Sequence, residues 1–313
     1  MPLNIANNQN SLAPWRSMLF VPANSDKFLT SALKRNADAI QLDLEDACPP
    51  DLKDTTRANI GELATRASDA GFDVIVRVNR PWRMLVRDLE GCVHPNIKAL
   101  TLPKVPDGGF IRAVAEVLDE VEQEKQLPNG HTRLIAMIED ADALARLDEI
   151  AQAHPRLYGM IVGAEDLAVS MRMAVDTDTL YLPNVMVVAA CRRAGIVPLG
   201  FVGSVADFAD QNKFRQTVQR AARLGFEGAF CIHPSQVDAA NAAFSPEASA
   251  VERARALVAT FDAAMAAGQA ACTFEGRMVD APVVMQAKQL IARDDALQGR
   301  LARRQVITPA TPA

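Results

Sequence analysis

The sequence predicts a closed (β/α)8 barrel of the TIM type followed by a helical C-terminal extension. Two observations lead there. Eight short apolar runs alternate with longer amphipathic segments along the first three quarters of the chain, the pattern of a parallel sheet with helical crossovers. Glycines Gly71, Gly195 and Gly225 stand where helix-like stretches end before the next run, the usual place of a helix-terminating glycine. A doubly wound sheet is the alternative, but such a fold usually carries a glycine-rich phosphate turn after its first strand, and "FVPANSDKF" is not G-x-G-x-x-G.

The eight runs, in order, are residues 17–23 (SMLFVPA), 39–45 (AIQLDLE), 73–79 (DVIVRVN), 99–105 (ALTLPKV), 133–139 (RLIAMIE), 157–163 (LYGMIVG), 196–202 (IVPLGFV) and 228–234 (GAFCIHP). "DLKDTTRANIGELATRASDAG" and "FIRAVAEVLDEVEQEK" are two of the intervening helices. These elements give a catalytic barrel over residues 1–240. A second region, 241–305, contains a strong amphipathic helix in "PEASAVERARALVATFDAAMAAG", an irregular segment "QAACTFEGRMVDAP" and a last helix through "VVMQAKQLIARDDALQGRLARR". It is expected to cap the barrel or a neighbouring subunit. Residues 306–313, ending in "TPATPA", read as a disordered tail.

Composition narrows the function classes. The 313 residues are 49% hydrophobic and 23% charged, with a formal net charge of −5. Lysines and arginines are dispersed, so no nucleic-acid surface is implied. No run approaches the ~18 apolar residues of a membrane span, and the N-terminus lacks the basic and apolar regions of a signal peptide. Cys48, Cys92, Cys191, Cys231 and Cys272 show no metal-ligand spacing, so they read as reduced structural thiols in a cytoplasmic protein.

The chemistry gathers at the strand ends. Successive strand residues alternate faces, so Ile40, Leu42 and Leu44 share one face and Gln41, Asp43 and Glu45 the other. With the apolar face against the helices, the acids look into the C-terminal mouth of the barrel, where such folds place their active sites. Val74, Val76 and Val78 alternate with Ile75, Arg77 and Asn79 in the same way, and Glu139 shares a face with Ile135 and Met137. Glu165 and Asp166 follow the sixth run, and Lys104 ends the fourth. Several acids facing one cavity repel unless a cation compensates them. An all-oxygen donor set with no Cys or His cluster suits Mg2+. Each group also has a structural reading. Asp46 and Asp166 could cap helices, Arg77 could be a counter-ion, and His233 before Pro234 reads as a hydrogen-bonded loop histidine.

The motifs "RSMLFVPANSDKF", "ADAIQLDLEDACPP", "VRVN", "LPKV", "MIED", "GAEDLA", "GFEGAFCIHPSQV", "FSPE" and "GRMVDAPVV" resemble, in order, those of the citrate lyase β-subunit-like proteins. That group includes malyl-CoA and citramalyl-CoA lyases and belongs to the aldolase/citrate lyase superfamily; the resemblance spans residues 16 to about 293. It implies a (β/α)8 barrel with a helical C-terminal extension, a homotrimer or homohexamer, and Mg2+-dependent making or breaking of a carbon–carbon bond between an acyl-CoA and a 2-oxo acid. By motif, Glu139 and Asp166 would be the metal ligands, and Arg77 would bind the oxo-acid oxygen and stabilise the enolate. Glu45 and Asp46 would orient metal-bound water. Asn79, beside Arg77, is assigned to substrate binding and Lys27 to the CoA phosphates. Asp280 resembles the acidic residue that the C-terminal segment contributes, often to a neighbouring subunit's site; it equally fits a helix N-cap ahead of Pro282.

The chain departs from that group's pattern in three places. Leu182, Pro183 and Asn184 stand where many relatives have an arginine and a small residue, "PLGFVGSVADF" lacks the acidic residue often found in the seventh strand region, and Ala229 occupies a common lysine position. These changes bear on substrate identity rather than reaction class. Two further readings stay open: a CoA-independent 2-oxo-acid aldolase, and an acyl-CoA-binding subunit that needs partner chains.

Overall fold

The computed structural model describes residues 14–307. The chain divides into two compact units, one over Trp15–Phe244 and one from Ser245 onward.

The first unit is built on eight parallel strands: β1 (Ser17–Pro22), β2 (Ala39–Asp43), β3 (Asp73–Arg77), β4 (Ile97–Leu102), β5 (Arg133–Ile138), β6 (Leu157–Val162), β7 (Val197–Leu199) and β8 (Ala229–Cys231). Each lies within one of the eight runs except β4, which begins two residues early. Neighbours in sequence are neighbours in the sheet, and β1 also pairs with β8. A parallel bridge between Leu199 and Gly228 closes the ring, with Gly200 N–H donating to Gly228 O at 2.8 Å. On the other side, where β8 meets the start of β1, a glycine is required: a Cβ on Gly228 would lie 1.8 Å from the Trp15 carbonyl oxygen. The predicted barrel is therefore the fold, nearly closed, with β7 and β8 joined by the isolated bridge.

The alternation of faces holds as expected. Leu19, Val21, Ile40, Leu42, Val74, Val76, Leu100, Leu134 and Ala136 pack outward in one core with helical residues such as Ala64, Ile111, Val114 and Leu118. Residues of opposite parity fill the lumen, where Thr101 Oγ1 donates to Gln41 Oε1 at 3.0 Å. Three helices end by the device read from the sequence, with Gly71, Gly195 and Gly225 at φ 85°, 73° and 101°. Some helix starts are fixed by aspartates. Asp107 accepts from Phe110 N, and Asp140 accepts from Ala143 N. The "MIED" motif thus divides its acids: Asp140 caps the helix Ala141–Ala145, and Glu139 is left at the strand end.

The second unit contains the helices Ala248–Ala266 and Ala281–Ile307. The segment expected to be irregular is instead a β-hairpin, Cys272–Phe274 paired antiparallel with Arg277–Val279. The physical reason is its two-residue turn. Glu275 and Gly276 adopt φ 47° and 74°, the doubly positive geometry that matches the twist of a hairpin. Phe261, Val279 and Val284 form a small core of this unit's own. Of the tail expected over residues 306–313, residues 306 and 307 belong to the last helix and the remainder lies outside the described residues. All five cysteines are free thiols, Cys48, Cys92, Cys191 and Cys231 buried. Among the described residues no helix is long and apolar enough to cross a membrane.

Candidate active site

A cavity of about 570 Å³ opens at the C-terminal mouth of the barrel, within the size range of small-molecule sites. Its wall is supplied by the ends of seven strands, and its polar lining is Asp43, Asp46, Arg77, Glu139, Glu165 and Asp166. Phe20, Met137, Ile161, Phe201, Phe230 and Ile232 form the apolar part.

Arg77 ends β3 directly opposite Asp43 at the end of β2 in the ladder. That register places the carboxylate against the guanidinium fork: Nε donates to Asp43 Oδ1 at 2.8 Å and Nη2 to Oδ2 at 2.7 Å. The third arm, Nη1, lies 2.9 Å from Glu45 Oε2 and 3.2 Å from Asp46 Oδ2. Asp43 is itself held by the backbone N–H groups of Glu45 and Ala47. Arg77 also sits over the Phe20 ring at 5.0 Å. Burial alone would make its proton easier to lose, but the bonds to Asp43 and the charges of Glu45 and Asp46 hold its pKa above the usual value. It is a fixed, oriented positive charge.

Across the cavity stands Glu139, 5% exposed. Its Oε2 accepts the backbone N–H of Lys104 at 2.6 Å. Burial pushes its carboxyl up to about 7, and the neighbouring charges of Asp166 and Glu45 push the same way, against the Lys104 bond. The carboxylate fits because the next residue along the rim is Gly163: a Cβ there would lie 2.3 Å from Glu139 Oε1. Asp166 is in the first turn of the helix Ala164–Met171, and Glu165 beside it accepts a hydrogen bond from Ser204. Lys104 Nζ reaches over the mouth to Glu45 Oε1 at 3.2 Å and Asp166 Oδ2 at 3.6 Å. Burial raises the pKa of Glu45 despite Arg77.

Six of the predicted or rim residues therefore converge: Glu45, Asp46, Arg77, Lys104, Glu139 and Asp166. Two assigned residues, Asn79 and Lys27, stand apart. Asn79 is buried with its amide donating to Asp88 Oδ2 at 2.7 Å and accepting from Lys53 Nζ, and it does not line the cavity. Lys27 is exposed on the helix Asp26–Ala32, which begins just after β1. Asp280 belongs to the second unit. Its Oδ1 lies 3.5 Å from the Val283 N–H at the start of the last helix, in the N-cap position. His233 is the loop histidine anticipated: Nδ1 meets Ser235 Oγ at 2.7 Å, and the ring stacks on Phe208.

Two contributors to the site had no role assigned from the sequence. Asp43 is the anchor of Arg77. Its signal was present in the register, since "LDLE" and "VRVN" place the two charges on the same face at the same depth. Gly163 makes room for Glu139, and only the packing of β5 against β6 reveals that.

Glu139 and Asp166 offer hard oxygen donors, and Glu139 is a buried carboxyl with no full counter-charge. Six carboxylates stand against two cations around the mouth. Among the described residues no three His, Cys, Asp or Glu side chains form a complete metal cage. Two carboxylates with other positions left to water and substrate is the habit of Mg2+ rather than of zinc or calcium. The residues fit.

Residues 16–234 match the HpcH/HpaI aldolase/citrate lyase family. The chain belongs to that family. It is 34% identical over 311 residues to the L-malyl-CoA/beta-methylmalyl-CoA lyase of Cereibacter sphaeroides, covering 91% of this chain and 96% of that relative. It is 31% identical over 283 residues to the citrate lyase subunit beta of Escherichia coli K12, covering 89% and 92%. Among solved structures, the CitE protein of Mycobacterium tuberculosis in complex with magnesium, acetoacetate and coenzyme A superposes with a TM-score of 0.68 at 26% identity, over 91% of this chain and 99% of that one. A citrate lyase from Burkholderia xenovorans reaches 0.76 over 94% and 99%; at 18% identity that likeness concerns the fold alone.

Proposed function

We propose that this chain is a Mg2+-dependent carbon–carbon lyase acting on a 3-hydroxy-dicarboxylyl-CoA thioester of the malyl, methylmalyl, citramalyl or citryl kind. The observation that carries the reading is the placement of Glu139 and Asp166 on one wall of a single cavity and a preorganised Arg77 on the other. Glu139 and Asp166 would hold the cation, with Glu45 and Asp46 orienting its water. Bound there, the cation supplies a Lewis acid for the oxygens of the oxo-acid half of the substrate.

The protein's own groups do the rest. The substrate hydroxyl gives its proton to a rim carboxylate and becomes the carbonyl of the oxo acid. Breaking the adjacent carbon–carbon bond leaves an enolate on the thioester fragment, and Arg77 presents a fixed positive charge to the developing oxyanion. Because Asp43 holds its fork on two arms, that charge needs no reorganisation during the reaction. Asp46 is the least buried of the three acids on Arg77, with a side chain 64% exposed, so it yields most easily to an incoming substrate oxygen. The apolar wall formed by Phe20, Phe201 and Phe230 excludes water from the enolate. A positioned acid must deliver the proton to the enolate carbon, and Asp280, supplied by the C-terminal unit of this chain or of another copy, is proposed for that step. Lys27, in the helix that follows β1, is proposed to meet the CoA phosphates. A homotrimer or homohexamer working in the cytoplasm, where free thiols persist, completes the proposal.

The test is acyl-CoA release from malyl-, methylmalyl-, citramalyl- and citryl-CoA, each with Mg2+ and with EDTA. Cleavage of at least one ester that EDTA abolishes is expected. Cleavage that EDTA leaves intact, or no cleavage of any member, would contradict the proposal.

A further inference from the structure

The proposed metal site carries a cation of its own. Lys104 follows β4 in the left-handed region, at φ 50°, a conformation that is strained for a residue other than glycine. That turn aims two parts of one residue at the site. The backbone N–H donates to Glu139 Oε2 at 2.6 Å, while the side chain folds back across the mouth. Its ammonium stands 3.2 Å from Glu45 Oε1 and 3.6 Å from Asp166 Oδ2. Through main chain and side chain together, Lys104 contacts both proposed metal ligands and an acid beside them.

We propose that Lys104 is the resident counter-cation of the metal site, holding the carboxylates together when no metal is bound and giving way when a divalent cation arrives. The inference rests on the metal reading above. Carboxylates gathered at one mouth repel each other, and a single ammonium offsets part of that repulsion. A divalent ion at Glu139 and Asp166 offsets more, and the ammonium then becomes a like charge beside it. Lysine suits such an exchange better than arginine would. It is a compact point charge on a flexible stem, and its side chain is already 41% exposed, with solvent to swing into. The exchange keeps the empty site formed at the expense of affinity for the metal. It also gives the strained backbone a purpose, since an extended Lys104 would not direct its N–H at Glu139 and its ammonium at Asp166 together.

The test is Lys104→Met, which keeps the stem and the backbone preference and removes only the charge, beside Lys104→Arg, which keeps the charge. Mg2+ binding is measured by calorimetry at pH 8 and melting by differential scanning calorimetry in EDTA. Lys104→Met is expected to bind Mg2+ roughly three- to tenfold more tightly, the range for losing a partly exposed like charge. It should also melt below the wild type in EDTA, and Lys104→Arg should stay within about twofold of wild-type affinity. Equal or weaker Mg2+ binding by Lys104→Met, or tightening by Lys104→Arg as well, would overturn the proposal. A measurement on the wild type avoids any dependence on a variant's folding: labelling of Lys104 by an amine-reactive reagent, read by peptide mass spectrometry, should rise when Mg2+ is added. Unchanged or reduced labelling overturns the exchange. Wild-type protein that binds no Mg2+ at all overturns the metal reading with it, and so separates the two failures.

Discussion

Replacing Glu139 with glutamine keeps the shape of the side chain and its ability to accept the Lys104 N–H, but removes the charge. Burial lifts the Glu139 carboxyl from 4.5 to about 7 in the metal-free fold. The folded state therefore binds this proton more tightly than the unfolded chain does. Its stabilising effect is complete below pH about 4.5 and is lost as pH rises through about 7. At about 1.4 kcal/mol per pH unit, the loss is on the order of 3 kcal/mol. Glutamine is neutral at every pH, so the variant escapes it. In EDTA at pH 8, Glu139→Gln should be more stable than the wild type by up to about 3 kcal/mol, or roughly 6–12 °C in melting temperature for a domain of this size. At pH 4.5 the two should nearly coincide. Mg2+ should raise the melting temperature of the wild type at pH 8 and leave the variant unmoved. Scanning calorimetry at the two pH values, with EDTA and with Mg2+, reads all of these. A variant that melts at or below the wild type in EDTA at pH 8, or that gains from Mg2+ as the wild type does, would refute the assignment of Glu139 as a strained, metal-seeking carboxylate.

Other perturbations follow from the same geometry. Asp43→Asn removes the charge that holds two arms of a buried guanidinium and should cost roughly 3 kcal/mol in urea unfolding, as broken buried pairs do; a loss under ~0.5 kcal/mol would show that Arg77 is anchored elsewhere. Arg77→Lys keeps a positive charge but not the fork, so turnover should fall about a hundredfold or more while calorimetric Mg2+ affinity stays within about twofold. Gly163→Ala places a Cβ against Glu139 Oε1; Mg2+ affinity should drop roughly tenfold with an unchanged far-ultraviolet circular dichroism spectrum.

Much of this was legible in the sequence because strands obey a strict parity. Ile40 and Leu42 must face the helices if they are to leave water, and that sends Gln41 and Asp43 inward whatever the tertiary details. The same parity put Arg77 and Glu139 at the mouth. Asn79 shows where parity stops. It lies two residues beyond Arg77, past the end of β3, and there Asp88 from the next helix captures both its backbone and side-chain N–H groups. Such a contact depends on how the helix Trp82–Cys92 returns over the strand, which no local pattern encodes. The hairpin at Cys272–Val279 was missed because its strands are three residues each, too short for alternation to register. Its "EG" turn was the readable signal. Lys104 was visible at the rim, but its left-handed backbone, which gives it contact with Glu139 and Asp166 together, leaves no mark on residue order. Asp280 belongs to the second compact unit, and the part proposed for it rests on motif resemblance alone.

The central claim is that a divalent cation is held between Glu139 and Asp166 with Arg77 across the cavity. Crystals grown with Mn2+ in place of Mg2+, measured for anomalous scattering, test it most directly. The account predicts one strong anomalous peak within about 2.0–2.3 Å of oxygens from both carboxylates. A peak ligated elsewhere, or none at this wall of the barrel under saturating Mn2+, would contradict it.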